Sequence, residues 1–523
     1  MARRRASGQR LLLSEDTQRT SGRDARSMNI TAGRAIGNAV RTTLGPKGMD
    51  KMLVDSDGDV VVTNDGVTIL SQMDIDHPAA DMMVEVAETQ EGEVGDGTTT
   101  AVILAGALLH EAEVLLEQDI HPTTIATGYR KATERAGEVL EDVATEVDVD
   151  DVDTLERIAQ TVMTGKSAED AREQLAKIVV GAITAVTNEE GISMEDVDVR
   201  TAPGRPVTAS ELIEGVLVEG EPLHEGMPTE VEDARIALLD TGIEMDEPEI
   251  DADISVDDPA ALQEFKDAEE ASLKERVEHI VDTGANVVFA ADDIEDVAAQ
   301  HFADHDVLAV EDLEDDDLAR LARVTSTPRV TTVQELTEDD LGEAGLVRLE
   351  TIGEDDYVSV EEVPDAAVTT VIVRGGTQGV VDEIERAVVD SLHAVRVAIL
   401  SEQVLGGGGA PETELAMAIR DYADSVGGRE QLAIEAYADA LEIVPKTLAE
   451  NAGLDPIDSL VELRARHDGG ERAAGLDAQT GEVIDMYEEG TVEPLPVKRQ
   501  AIGSATEAAV MILRIDDVIS ASN

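Results

Sequence analysis

Gly95-Asp96-Gly97-Thr98-Thr99-Thr100 runs without a break into an apolar stretch that ends near Leu116, and this junction constrains the chain more than any other segment. Glycines let a backbone come close to a ligand, free N–H groups at the start of a helix attract anions, and threonine hydroxyls add donors for phosphate oxygens. A lone carboxylate in such a cradle would repel phosphate. It fits once a divalent cation lies between the two, because Mg2+ takes one or two carboxylates together with phosphate oxygens and water. Asp96 is thereby a candidate metal ligand. Ser, Thr and Asp also favour helix starts for local reasons, so an N-cap followed by ordinary first-turn hydroxyls explains the same letters.

Three further loops keep this one company. "TTLGPKGMDK" (42–51) ends a one-faced helix at Gly45-Pro46, "TNDG" (63–66) presents an acid at a strand exit, and "LGGGGAPE" (405–412) supplies a flexible turn. These loops cluster before residue 100 and after residue 405, so a single site requires both ends of the chain to meet. A P-loop is excluded: in "TVMTGKSAE" the glycine required five positions before Gly165 is Gln160. Lys166 in that segment reads equally as a surface lysine. "HEAEV" at His110 lacks the second histidine, Val114 standing in its place, that a zinc-protease helix needs.

The 523 residues exceed one hydrophobic core, and a prior of roughly 150 residues per domain gives about three domains. A formal charge of −74, from 114 acidic and 40 basic residues, carpets the surface with carboxylates. Such self-repulsion is tolerable when screened, and the Debye length falls to roughly 3 Å at 1 M salt, which points to a salt-filled cytosol. Long periodic apolar runs argue against an acidic disordered chain. A nucleic-acid binder is disfavoured, since the surface repels phosphate and no basic, aromatic-studded patch occurs. The absence of cysteine excludes disulfides, thiolate metal sites and cysteine nucleophiles. Residues 1–10 read as a mobile basic arm, not a signal peptide, and no apolar run reaches the roughly 20 residues of a membrane span; the expected location is cytoplasmic.

Periodicity predicts a helix from Ser27 to Leu44, a hairpin over 51–66 turning at Asp57-Gly58, and helices at about 78–91, 97–118 and 122–145. Mixed, loop-rich sequence follows to about 215. From about 216 to 366 short β runs alternate with helices as in a compact α/β unit, with an acidic, amphipathic excursion at 243–280. The helix after "TTVIVRGG" carries Val381, Ile384, Val388, Leu392 and Val395 on one stripe, with Asp390 off it beside Asp382, Glu383 and Glu385. The end segments "QRLLLSE" and "RIDDVISAS" are suited to joining a neighbour's sheet.

Taken together, "EDTQRTSGRDARSMNITAGRAI", "VRTTLGPKGMDKMLVD", "VTNDGVTIL", "VGDGTTTAV", "TVMTGKSAED", "LGGGGAPETELA", "ENAGLDPID" and "VEPLPVKRQAIGSATEAAVMILRIDDVI" resemble the group II chaperonins, the archaeal thermosome and its eukaryotic cytosolic relatives, from near residue 16 to residue 519. The resemblance implies a multi-domain α+β chaperonin fold. Its parts would be a mostly helical equatorial ATPase domain (1–147 and 403–523), a small intermediate domain (148–215 and 367–402), and an inserted α/β apical domain (216–366) with a helical protrusion at 243–280. It implies ATP-driven folding of unfolded polypeptide clients in two stacked rings of eight or nine identical or paralogous subunits, closed by that protrusion without a separate co-chaperonin. Carried over by motif, Leu44, Gly45, Pro46, Gly97, Thr98, Thr99, Thr100, Lys166, Gly408 and Glu493 would bind ATP, Asp96 would hold Mg2+, and Asp65 and Asp390 would position or deprotonate the attacking water. Leu262, Phe265 and Leu273 are candidates for client contact, with packing onto the apical core as the alternative. Gly375-Gly376 would serve as a hinge or as a plain strand-ending turn.

Two other classes accommodate the same cradle. A metal-dependent ATPase or kinase with a small substrate would need a compact acceptor pocket and no ring; a non-hydrolysing scaffold would need Asp65 or Asp390 to be dispensable. The charge carries its own prediction: dilution from molar KCl to about 0.1 M, where the Debye length grows to about 10 Å, should dissociate or unfold the protein, followed by circular dichroism and size-exclusion chromatography. Full stability at low salt would contradict the screening argument.

Overall fold

Helix Thr98–Glu117 runs without a polar residue from Ala101 to Leu109, so that part must be buried on nearly every side, while His110, Val114 and Glu117 further along are exposed. Ala101, Val102, Leu104, Ala105, Leu109 and Ala112 are all at most 1% exposed. The helix packs against Arg23–Val40, Pro78–Val94, Gly428–Leu441 and Leu495–Arg514, which draws both ends of the sequence around it. Where it crosses Arg23–Val40 only glycine fits: a Cβ on Gly37 would stand 3.2 Å from the Val102 carbonyl oxygen and 3.3 Å from the Cα of Gly106. By length and composition this one helix reaches membrane-span dimensions, contrary to the expectation from the sequence, because a helix enclosed by other helices needs the same all-round apolarity.

The computed structural model describes residues 17–54, 58, 60–148, 151–166, 171–187, 191–244, 259–353, 355–364 and 368–521. The expected arm at 1–10 and the segment "QRLLLSE" lie outside the described residues. The chain forms two compact units, residues 1–176 with 386–523, and residues 177–385. Both segments expected to form a small intermediate domain are divided between these units, within helices Arg172–Val186 and Gln378–Ser401.

In the first unit the expected helices stand at Arg23–Val40, Pro78–Val94, Thr98–Glu117 and Pro122–Val143. The first stops earlier than its periodicity suggests, in a 3-10 turn at Arg41–Thr43 ahead of Gly45-Pro46. The hairpin pairs Lys51–Val54 with Val60–Thr63, Lys51 opposite Thr63. Strand Asp517–Ala521 pairs antiparallel with Thr17–Ser21 of the same chain, so the C-terminal segment finds its first partner internally.

The second unit is built on a mixed sheet in the order Leu308–Val310, Val287–Ala290, Glu230–Leu239, Gly342–Ile352, Asp355–Glu361, Gly215–Glu219, with Arg329–Val330 also on Glu230–Leu239. Strands alternate between two cores as a period of two demands: Ile236, Leu238 and Phe289 face one, Ala237, Leu239 and Val288 the other. A three-stranded sheet sets Thr369–Gly375 between Val197–Pro203 and Glu211–Ile213.

Of the residues expected to meet clients, the side chains of Leu262 and Phe265 lie outside the described residues. Leu273 does not face outward: it is 1% exposed and packs with Val277, Ile280, Val288 and Phe302, because the second half of helix Pro259–Asp282 lays its apolar stripe on the sheet. Leu273 is therefore a core residue. Leu273→Ala should cost about 2–5 kcal/mol of stability through lost contacts and the cavity left behind, seen as a lower thermal midpoint. An unchanged midpoint would return Leu273 to the surface.

Candidate active site

The glycine loop closes one helix and opens the next. Gly95 is left-handed (φ 72) and its N–H returns to the Glu91 carbonyl at 2.9 Å, ending Pro78–Val94. Gly97, also left-handed (φ 79), is the N-cap of Thr98–Glu117, and no side chain caps that helix. The local explanation for Asp96 as a capping residue therefore fails, and the helix start is left for an anion.

"TNDG" meets this loop directly. Asp65 caps helix Gly66–Ser71, its Oδ2 accepting from the Thr68 N–H at 2.7 Å. A Cβ on Gly66 would stand 2.6 Å from the Thr99 hydroxyl, so only glycine lets the acid come this close to the threonines. The Asn64 amide donates to the Gly165 carbonyl at 2.7 Å, and Gly165 (φ 81) sits against Gly45 and Pro46.

Lys166 and Asp390 form an ion pair at 2.6 Å, with side chains 15% and 12% exposed. Neither plain reading survives: Lys166 is not a surface lysine, and Asp390 is not on a solvated face. Burial, joined by Asp65 and Asp96, pushes the Asp390 carboxyl up to about 6 in spite of Lys166. For Lys166 burial acts downward, but Asp390 outweighs it and raises the ammonium above its ordinary value. Both shifts express a surplus of acids around one cation.

From the other end of the chain, Gly408 and Gly409 are left-handed (φ 64 and 77), and Gly409 opens helix Ala410–Val426 without a side-chain cap. A Cβ on Gly408 would stand 2.8 Å from the backbone of Leu476. Glu493 lies on strand Val492–Pro494, paired opposite Leu405.

These segments enclose two adjoining cavities. One of about 190 Å3 is lined by Asp65, Asp96, Gly97, Thr98, Thr99, Thr100, Lys166 and Asp390. The other, of about 300 Å3, is lined by Pro46, Gly408, Leu448, Leu476 and Met486. Leu44, Gly45, Thr100 and Glu493 line both, making one cleft with a polar end and a more apolar end. Every site residue carried over from the sequence lies on this cleft. A cavity of about 360 Å3 between Arg34, His110 and Lys446 holds none of them.

Other residues of the site were given no role from the sequence, although Asn451 and Lys498 lie within "ENAGLDPID" and "VEPLPVKRQ". Gln90 is fully buried and donates to the carbonyls of Asp96 at 2.7 Å and Val497 at 3.1 Å, joining the glycine loop to the C-terminal half. Asn451 holds the Gly45 loop through the carbonyls of Arg41 and Leu44. Lys498 is buried between Glu412 and Glu493.

The residues fit a nucleotide with its cation. The uncapped start of Thr98–Glu117 suits phosphate, and the end lined by Leu448, Leu476 and Met486 suits a base. No group of three His, Asp or Glu side chains stands ready to hold a metal among the described residues, so a divalent ion here would draw most of its ligands from phosphate oxygens and water, the habit of Mg2+.

The model of the TCP-1/cpn60 chaperonin family matches residues 36–523. Thermosome subunit 1 of Haloferax volcanii is 60% identical over 100% of this chain and 94% of the relative, and thermosome subunit alpha of Halobacterium salinarum is 60% identical over 98% and 91%. Both come from halophilic archaea. A thermosome subunit of Methanopyrus kandleri is 55% identical over 98% and 94%. The chain belongs to the TCP-1/cpn60 chaperonin family. It is a group II chaperonin subunit, an ATP-hydrolysing molecular chaperone.

The Asp390 value sets a pH dependence. A carboxyl raised to about 6 is ionised above that pH and neutral below it, so hydrolysis that needs its charge should fall through an inflection near pH 6, to about a tenth one unit lower. Protonating a group whose folded pKa exceeds its free value favours the fold, so the loss at this residue is catalytic and not unfolding. Rates measured from pH 5 to 8 at constant salt check it, and a flat profile would contradict it.

Proposed function

We propose that this cleft binds Mg-ATP and hydrolyses it to drive the folding of unfolded polypeptides in a double ring. The observation that carries the reading is the convergence of the uncapped start of Thr98–Glu117, the Lys166–Asp390 pair and the Gly408-Gly409 turn on one cleft made from both chain ends. Gly97, Thr98, Thr99 and Thr100 hold the phosphates through helix-start N–H groups and hydroxyls. Leu44, Gly45 and Pro46 border the nucleotide, and Gly408 and Glu493 lie on the base and ribose side. Asp96 would hold Mg2+, and the ion would supply charge neutralisation for the phosphates.

Asp65 and Asp390 orient the attacking water and take its proton. Asp65 is suited to orientation, since its Oδ2 is already fixed by the Thr68 N–H. Asp390 is suited to proton acceptance, because burial makes its carboxylate more basic than an exposed one. Lys166, released from Asp390 when a terminal phosphate arrives, reports the nucleotide state. The pair lies on two segments, 152–166 and 378–401, that lead out of the first unit toward residues 177–385. Through them hydrolysis rearranges an intermediate domain made of 148–215 and 367–402, with Gly375-Gly376 as the hinge. The unit at 216–366 receives clients, and the excursion at 243–280 closes the cavity without a separate co-chaperonin. Rings of eight or nine identical or paralogous subunits complete the assembly.

Asp65→Ala and Asp390→Ala should each lower ATP hydrolysis at least a hundred-fold, on the order of general-base removal, while ATP still binds and double rings persist in negative-stain images. Parental rates in either variant would dismiss that residue's role. A species near 55.5 kDa in molar salt would dismiss the ring.

A further inference from the structure

Lys498 lies in the first turn of helix Leu495–Arg514, with its Nζ 2.6 Å from Glu412 Oε1 and 3.2 Å from Glu493 Oε1. The three side chains are 6%, 0% and 15% exposed. Glu412 sits in the first turn of Ala410–Val426, directly after the Gly408-Gly409 turn, and Glu493 is held opposite Leu405 by strand pairing. Pairing fixes the backbone of Glu493 but leaves its side chain to be aimed by something else. The ammonium of Lys498 is the cation in contact with it, and one cation between two buried carboxylates is constrained from both sides.

We propose that Lys498 is a positioning residue for the ribose end of the nucleotide: by bridging Glu412 and Glu493 it keeps Glu493 aimed into the cleft as an acceptor for the ribose hydroxyls, and ties that acceptor to the Gly408-Gly409 turn. The inference rests on the ATPase reading above, with Glu493 on the ribose side. Two features support it. Glu493 lines both cavities, at the junction where a ribose would lie between phosphates and base. Burial, with Glu412 and Asp96, pushes the Glu493 carboxyl up to about 7 even with Lys498 beside it, and Lys498 is the group that draws it back toward the charged form. Lys498 itself is held protonated by the two acids, which overcome its burial.

The test compares kcat/KM for ATP with that for 2′,3′-dideoxy-ATP, which lacks the hydroxyls, in the assembled protein at molar KCl. The parent should favour ATP about ten-fold or more, the effect of a hydrogen bond to a charged group. In Lys498→Met the preference should collapse toward one, through KM and with kcat changed about two-fold or less, and Glu493→Gln should lose the preference as well. Removing one buried charge of a cluster can unfold a protein, so Lys498→Met/Glu412→Gln, which removes a cation and an anion together, is made in parallel. It should assemble and still have lost the preference, whereas Lys498→Arg should retain part of it. A folded double variant with parental discrimination would reduce Lys498 to a structural ion pair and overturn the inference. A parent that hydrolyses both nucleotides equally overturns it as well, at Glu493. A parent that hydrolyses neither defeats the ATPase reading itself, a distinguishable result.

Discussion

Burial of the apolar N-terminal part of helix Thr98–Glu117 is the constraint from which the site follows. A helical stretch that is apolar on nearly every side, as from Ala101 to Leu109, can be enclosed only by several partners, and here they come from residues 23–40, 78–94, 428–441 and 495–514. Its N-terminus cannot be placed without fixing Gly95, Asp96 and Gly97 at the edge of the same core. Gln90, hydrogen-bonded to Asp96 and Val497 at once, makes that edge a junction between the two halves of the chain. The cleft is thus a consequence of how one apolar helix is covered, which is why its walls come from distant sequence.

Charge is the second organising term. The cleft gathers Asp65, Asp96, Asp390 and Glu493, with Glu412 buried behind it, and Lys166 and Lys498 are lodged against one acid or between two, with Arg172 at the wider end. A site with surplus carboxylates receives a polyanion only with a cation in attendance, and the uncapped start of Thr98–Glu117 supplies further positive potential where phosphates belong. The protein surface repeats the imbalance on a larger scale, with 114 acids to 40 bases, and there the remedy is salt. Inside the cleft screening ions have little access, so the remedy is a placed ammonium or a bound metal.

Much of the first unit was legible because its helices are long and periodic: Ile30, Ile36 and Val40 announce a buried stripe, and the stripe from Val381 to Val395 is buried throughout. The glycine loops were legible because only glycine supports their left-handed backbone at such close approach. Asp390 was legible only through its motif. On a helix, an acid off the apolar stripe looks the same whether it faces water or a lysine 224 positions away. Leu273 shows the converse: an apolar residue amid acidic sequence has no fixed meaning until the sheet beneath it exists. Gln90 and Lys498 gave no pattern, since a single polar residue within a helix carries no period.

The sequence by itself determined which segments become helices and strands, that a glycine-bracketed acid opens an apolar helix, and that disulfides and thiolate metals play no part. These follow from local geometry: periodicity, backbone freedom and residue type act within a few turns of chain. Tertiary structure alone decided which carboxylates share a cation, which of them resist ionisation, and which loops close on one another. Those properties depend on desolvation and on charges a few ångströms apart in space, and contacts such as Lys166–Asp390 join residues 224 positions apart, where sequence spacing carries no information about distance.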